Sequence, residues 1–180
     1  MKKLLALTSL ALLSSTVFAA DSGIDYNEVS IGYASLEASP NTSSGYGIGG
    51  NFLFTENIFV NGSYFSVSKS STTLTKTTGS LGYRMPIASN TDALVTLGYT
   101  NSSGGTLTQD TYPMSLGVRA AVSPEVDLGA NVLYISDTAK NQSGFSGVAK
   151  YKMSNNLFIS GEYRSLTDTK FYIIGVGFKF

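Results

Sequence analysis

From residue 28 to the last residue, the chain is written in short bursts of strict alternation. Val29, Ile31 and Tyr33 alternate with Ser30, Gly32 and Ala34. Tyr46, Ile48, Phe52 and Phe54 alternate with Gly47, Gly49, Asn51 and Leu53. A period of two places each set on its own face of a β-strand. The same reading marks a third strand at Ile58, Val60, Gly62 and Tyr64, and a fourth at Leu81, Tyr83 and Met85, ended by Pro86. Ala93 to Tyr99 forms the fifth, Met114 to Val122 the sixth and Val126 to Tyr134 the seventh. Phe145 to Met153 forms the eighth, Leu157 to Tyr163 the ninth and Tyr172 to Phe180 the tenth. Ten strands are therefore expected, with eight as the alternative.

The connections sort into two kinds. Tight turns are expected near residues 55–57, 86–91, 123–125 and 154–156, and longer polar loops near 37–44, 68–76, 101–111, 137–143 and 165–169. Short and long connections in regular alternation predict an all-β, up-and-down antiparallel barrel with turns at one end and loops at the other. Two stretches repeat weakly. Asn57-Ile58-Phe59-Val60 resembles Asn156-Leu157-Phe158-Ile159, and Leu81-Gly82-Tyr83-Arg84 resembles Val176-Gly177-Phe178-Lys179. Leu116-Gly117-Val118-Arg119 shares the second pattern, and all of these read as the same hairpin solution reused rather than a solenoid, because the loops between them differ.

Aromatic placement decides which solvent the apolar face meets. Tyr33, Tyr46, Tyr64, Tyr99, Tyr112, Tyr134, Phe145, Tyr163 and Tyr172 fall near the loop end. Phe52, Phe54, Tyr83, Tyr151, Phe178 and Phe180 fall near the turn end. Two aromatic girdles flanking an aliphatic band are the outer surface of a membrane barrel. A tyrosine suits that boundary because its ring is apolar and its hydroxyl seeks water.

Before the first strand, Met1-Lys2-Lys3, the apolar run Leu4 to Leu13 and the small residues up to Ala19 predict a secretory signal peptide over 1–19, cleaved to leave a barrel domain over 20–180. Without Lys2 and Lys3 the chain carries 10 basic and 12 acidic residues. That balance, with no basic run, argues against a nucleic-acid partner. Cysteine is absent, so no disulfide framework or thiol chemistry is expected.

The last strand carries a further signal. Tyr172, Ile174, Val176, Phe178 and Phe180 are apolar or aromatic at every second position up to a terminal Phe. This ending resembles the assembly signal of bacterial outer-membrane β-barrels. With the signal peptide and the girdles, the chain resembles the broad OmpA/OmpX-like class of small outer-membrane barrels, from which it departs in strand count, those relatives having eight. The resemblance implies a porin-like barrel in the cell outer membrane of a Gram-negative envelope, exported through the periplasm. It implies contact with outer-membrane lipid and lipopolysaccharide, recognition by the barrel-assembly machinery during biogenesis, and a monomer.

The opposite faces of the strands point into the barrel. Arg84, Arg119, Lys152 and Lys179 lie inward near the turn end, with Asp92 and Asp127 at the starts of the following strands. Arg84 to Asp92 and Arg119 to Asp127 have the same spacing across a tight turn, so each pair is expected to meet cross-strand. Lys150 is expected to reach Glu162, and Glu28 to reach Lys179 across the closing seam. Phe59, Phe65, Leu133, Phe158 and Ile173 also point inward, which is bulky for an open channel.

Three functions follow: a barrel with a filled polar lumen serving a structural or surface-contact role, a narrow passive pore for small polar solutes or ions, and an outer-membrane enzyme. The first is preferred because a small strand number favours a filled interior. The enzyme is disfavoured because the chain has no His, the base that outer-membrane enzyme barrels resemble one another in using. No catalytic residue, cofactor or metal site is expected.

Overall fold

The computed structural model describes residues 22–38, 41–69, 72–104, 107–137 and 141–180; the expected signal peptide lies outside the described residues. All regular structure among the described residues is strand. The ten strands are β1 (Glu28–Ala38), β2 (Asn41–Leu53), β3 (Ile58–Lys69), β4 (Thr72–Ala88), β5 (Thr91–Gly104), β6 (Leu107–Ala121), β7 (Val126–Asp137), β8 (Gln142–Lys152), β9 (Leu157–Leu166) and β10 (Lys170–Lys179). Each pairs antiparallel with its sequence neighbours, and β1 pairs with β10, so the sheet closes into a barrel without a free edge. Closure satisfies every strand's backbone within the ring, which is what a span through hydrocarbon demands.

The register climbs around the wall. A row of partners that starts at Glu28, the first residue of β1, passes Asn51, Asn61 and Ser80 and arrives at Gly98, far up β5. This stagger is the tilt that a barrel of this size requires, about 35–45°.

The burial pattern is inverted relative to a water-soluble protein. Val29, Ile31, Leu81, Leu97, Val132 and Ile174 are exposed on the outer wall, Val132 by 68% and Ile174 by 67%. The buried set includes Glu28, Arg84, Asp92, Arg119, Asp127, Lys150 and Lys179. Apolar outside and charged inside is stable only when the outside meets lipid.

The upper aromatic belt is continuous along much of the wall. Ring centroids lie 6.3 Å apart for Tyr46–Tyr64, 5.8 Å for Tyr99–Tyr112, 6.0 Å for Phe145–Tyr163 and 5.1 Å for Tyr163–Tyr172. Tyr33 stands opposite Tyr46, and Tyr134 opposite Met114. Tyr83 and Tyr151 stand low on the same wall, opposite Ile58 and Val126, the first residues of β3 and β7.

Above the tyrosines the outward positions turn to Ser35, Ser44, Ser66, Asn101, Ser136, Ser143 and Ser165. This corrects one expectation. The stretches read as long polar loops are mostly strand: β1 and β2 stay paired to Ala38↔Asn41, β3 and β4 to Lys69↔Thr72, and β5 and β6 to Gly104↔Leu107. Beyond the lipid, Ser and Thr replace the apolar residues on the outward face, so the hydrophobic alternation fades while the hydrogen-bonded ladder continues. The short–long alternation of connections goes with it. Pro86 also does not end β4. The strand runs to Ala88, with a register shift between Pro86 and Ala88. A proline, which has no N–H for the ladder, is tolerated at such a bulge.

The weak repeats have a structural meaning. Phe59 pairs with Gly82 and Phe158 with Gly177, and each ring lies over its glycine. Asn57 donates its side-chain amide to the Arg84 carbonyl at 3.1 Å, and Asn156 does the same to the Lys179 carbonyl at 2.9 Å. The backbone N–H groups of Arg84 and Lys179 donate to Asn57 and Asn156 carbonyls, both at 2.7 Å.

Candidate functional site, the barrel lumen

The turn end of the lumen is crossed by a layer of charges. Arg84 on β4 meets Asp92 on β5 at 3.4 Å, and Arg119 on β6 meets Asp127 on β7 at 3.2 Å. Both are hairpin neighbours, so the tight turns deliver them to one height. Lys152 on β8 also reaches Asp127, at 2.7 Å. Glu28 on β1 is the hub that sequence spacing does not reveal. It binds Lys150 of β8, lies 3.7 Å from Arg119, and accepts a 2.7 Å hydrogen bond from Asn51. Asn51 in turn accepts from Asn61 at 2.8 Å.

Two expected pairs are therefore corrected. Lys150 stands opposite Ser160, whereas Glu162 stands opposite Val148, one inward position higher; Glu162 is held instead by Arg164 at 2.7 Å. Lys179 is the register partner of Glu28 across the closing seam, yet the Glu28 carboxylate turns to the lumen centre, where cations from β6 and β8 converge. Sequence reasoning missed Arg164 because its partner is two residues away on its own strand rather than across a turn.

A second element was also missed. The segment before β1 does not leave the barrel. Ser22, Ile24 and Tyr26 are buried, continuing the inward parity of Glu28 down the chain. Tyr26 packs on Phe59 with centroids 5.2 Å apart, and Ile24, Tyr26 and Phe59 form an apolar cluster with Leu53, Leu94 and Ala121. The Tyr26 hydroxyl donates to Asp92 at 2.8 Å, while the guanidinium carbons of Arg84 and Arg119 sit 5.2 and 4.8 Å from its ring centroid. Burial pushes this hydroxyl well above the ordinary phenol range against the pull of the Arg119 guanidinium, and the Asp92 hydrogen bond adds to the rise. The phenol thus stays a donor. With two guanidinium groups within reach of its ring, it gains cation–π attraction as well as packing.

Above this layer lies a chamber of about 360 Å³, lined by side chains that include Asn61, Ser63, Thr96, Ser115 and Ser160. Near the mouth a second apolar group closes in from one side: Ala34, Val67 and Phe171, with Leu36, Phe65, Leu74 and Ile173. The lumen is thus narrowed at two heights, with a polar chamber between them. Among the described residues no group of His, Cys, Asp and Glu is arranged to hold a metal ion.

A closed antiparallel barrel with an apolar outer wall, a tyrosine belt and a charged interior defines a transmembrane β-barrel. The chain belongs to the outer membrane protein beta-barrel domain family, whose profile matches residues 5–180. Solved structures share the fold. A KdgM porin is 12% identical over 84% of this chain and 99% of its own, with a TM-score of 0.51. An outer-membrane channel from Pseudomonas putida F1 is 10% identical over 91% of this chain and 99% of its own, with a TM-score of 0.52. A search of curated protein sequences gives no match.

Proposed function

We propose that this chain is exported through the periplasm to the cell outer membrane and serves there as a structural or surface-contact barrel with a filled lumen. The observation that carries this reading is the Tyr26 layer. An aromatic ring held by Asp92, Arg84, Arg119 and Phe59 fills the turn end of the barrel. Its partners come from four different strands, so no single side-chain rotation opens the path. The outer wall meets lipid and lipopolysaccharide, and the protein acts as a monomer. The strand from Tyr172 to Phe180 is what the assembly machinery reads. No residue is assigned a catalytic role.

The runner-up is a narrow pore for small polar solutes or ions. It is favoured by the chamber of about 360 Å³ and by the fact that no disulfide pins the closing segment before β1 to the wall. Planar-bilayer recording of the refolded barrel separates the two. The sealed reading expects no steady conductance in the intact protein. A steady channel in the intact protein overturns it and promotes the pore.

A further inference from the structure

Among the described residues two inward lysines stand outside the ion pairs of the lumen, Lys179 in the lower layer and Lys76 above it. In the lower layer Asp92, Asp127 and Glu28 each hold a cation, and higher up Glu162 holds Arg164. Lys76 also lines the chamber, but among the described residues no carboxylate or hydrogen-bond acceptor holds it. A second cation, Arg164, lines the same chamber.

These two cations face each other. Lys76 is on β4 and Arg164 on β9, five strands apart either way round the ring and hence on opposite walls. Their heights agree, because Lys76 stands beside Phe65 and Arg164 beside Phe171, and those rings touch with centroids 4.7 Å apart. Arg164 spends one terminal nitrogen on Glu162, while its Nε–H is buried with no acceptor. Two like charges at one height on opposite walls of a narrow lumen repel more strongly than in bulk water. An unused buried donor beside them adds a desolvation cost. One species removes both defects: a compact anion with several acceptor oxygens.

We propose that the upper lumen binds a small oxyanion, phosphate or carboxylate, bridged between Lys76 Nζ and the Arg164 guanidinium. The anion enters from the mouth, since the Tyr26 layer fills the other end. Charge-assisted hydrogen bonds from both walls hold it, with the Phe65–Phe171 pair limiting its size. The site goes beyond the structural reading and does not depend on it, because binding needs only the mouth to be open.

The test uses the refolded full barrel in zwitterionic detergent at low ionic strength. Urea midpoints are measured while inorganic phosphate, sodium acetate or sodium chloride is titrated at matched ionic strength. The site expects a saturable rise in midpoint with phosphate or acetate that chloride does not give; the one acting at lower concentration identifies the source. Lys76→Met and Arg164→Met should each raise the half-saturating concentration by about tenfold or more, the loss of one charge-assisted contact. Lys69→Met, at the top of β3, should leave it unchanged. In anion-free buffer Lys76→Met should be no less stable than the parent, because it removes an unmatched charge. Three results overturn the proposal: chloride matching phosphate and acetate, an unaltered response in Lys76→Met, or a fall in stability of Lys76→Met without anion.

Discussion

The phenyl ring of Phe59 lies so close over Gly82 that a Cβ on that glycine would come within 2.1 Å of the ring's Cζ. Phe158 over Gly177 repeats the relationship, again at 2.1 Å. Both rings are almost wholly buried and wedged between the charge layer and the wall, so neither can swing aside freely. Gly82→Ala and Gly177→Ala should therefore each destabilise the refolded barrel by about 1–3 kcal/mol through overpacking. Gly62 and Gly161, with open space at the Cβ position, supply the control. Their alanine variants should be neutral or slightly stabilised in the same urea titration. Equal effects at all four positions would show that the rings do not need the glycines.

Tyr26 offers a graded test of the closing layer. Tyr26→Phe keeps the packing on Phe59 and removes only the hydroxyl that Asp92 accepts from. Leaving that buried carboxylate short of a donor should cost about 1–3 kcal/mol, with conductance unchanged. Tyr26→Ala removes the ring as well and should add measurable single-channel openings. If the alanine variant stays as silent as the parent, the ring does not close the lumen.

The Arg84–Asp92 pair is fully enclosed, with side-chain exposures of 8% and 0%. Removing one partner of a buried pair typically costs about 3–5 kcal/mol. Arg84→Met should approach that range, and the Arg84→Met, Asp92→Asn double variant should recover part of it. A double-mutant cycle with zero coupling energy would mean that water in the lumen screens the pair.

Heat-modifiable migration on a denaturing gel should mark the folded barrel, because the closed ring resists detergent until boiled. Substituting Tyr172 and Phe178 with Ser, or deleting Phe180, should lower the folded band in isolated outer membranes at least severalfold. The same chains should still refold in detergent, where no machinery is needed. Unchanged membrane levels would remove the recognition role from this strand.

The strands were legible because nearly every apolar burst keeps period two from lipid edge to lipid edge, as Leu81–Tyr83–Met85 and Tyr172 to Phe178 do. Their polar ends were not. Ser66, Ser68 and Thr75 face water outside the hydrocarbon, so nothing forces an alternation, although the ladder continues through them. Arg84–Asp92 and Arg119–Asp127 were legible as hairpin neighbours. Glu28 with Lys150, 122 residues apart, was not. Such a partner is chosen by curvature across the lumen, which one-dimensional spacing does not contain. Tyr26 did carry a signal, since Ser22, Ile24, Tyr26 and Glu28 share a parity, but no apolar face on the alternate residues marked the segment as structured.

Glu28 sits on the first strand, and its partners arrive on the sixth and eighth. None of its ionic contacts can exist until most of the ring is in place, and its own strand is the one that must join the last. An incompletely zipped chain would hold Arg119 and Lys150 without this acid, and would carry that electrostatic deficit until the seam joined. Loop-closure entropy already makes such long-range pairing slow. The late-forming cluster should make the final step steeply cooperative: half-closed species gain little of the interior's stability, and the finished barrel gains it nearly all at once.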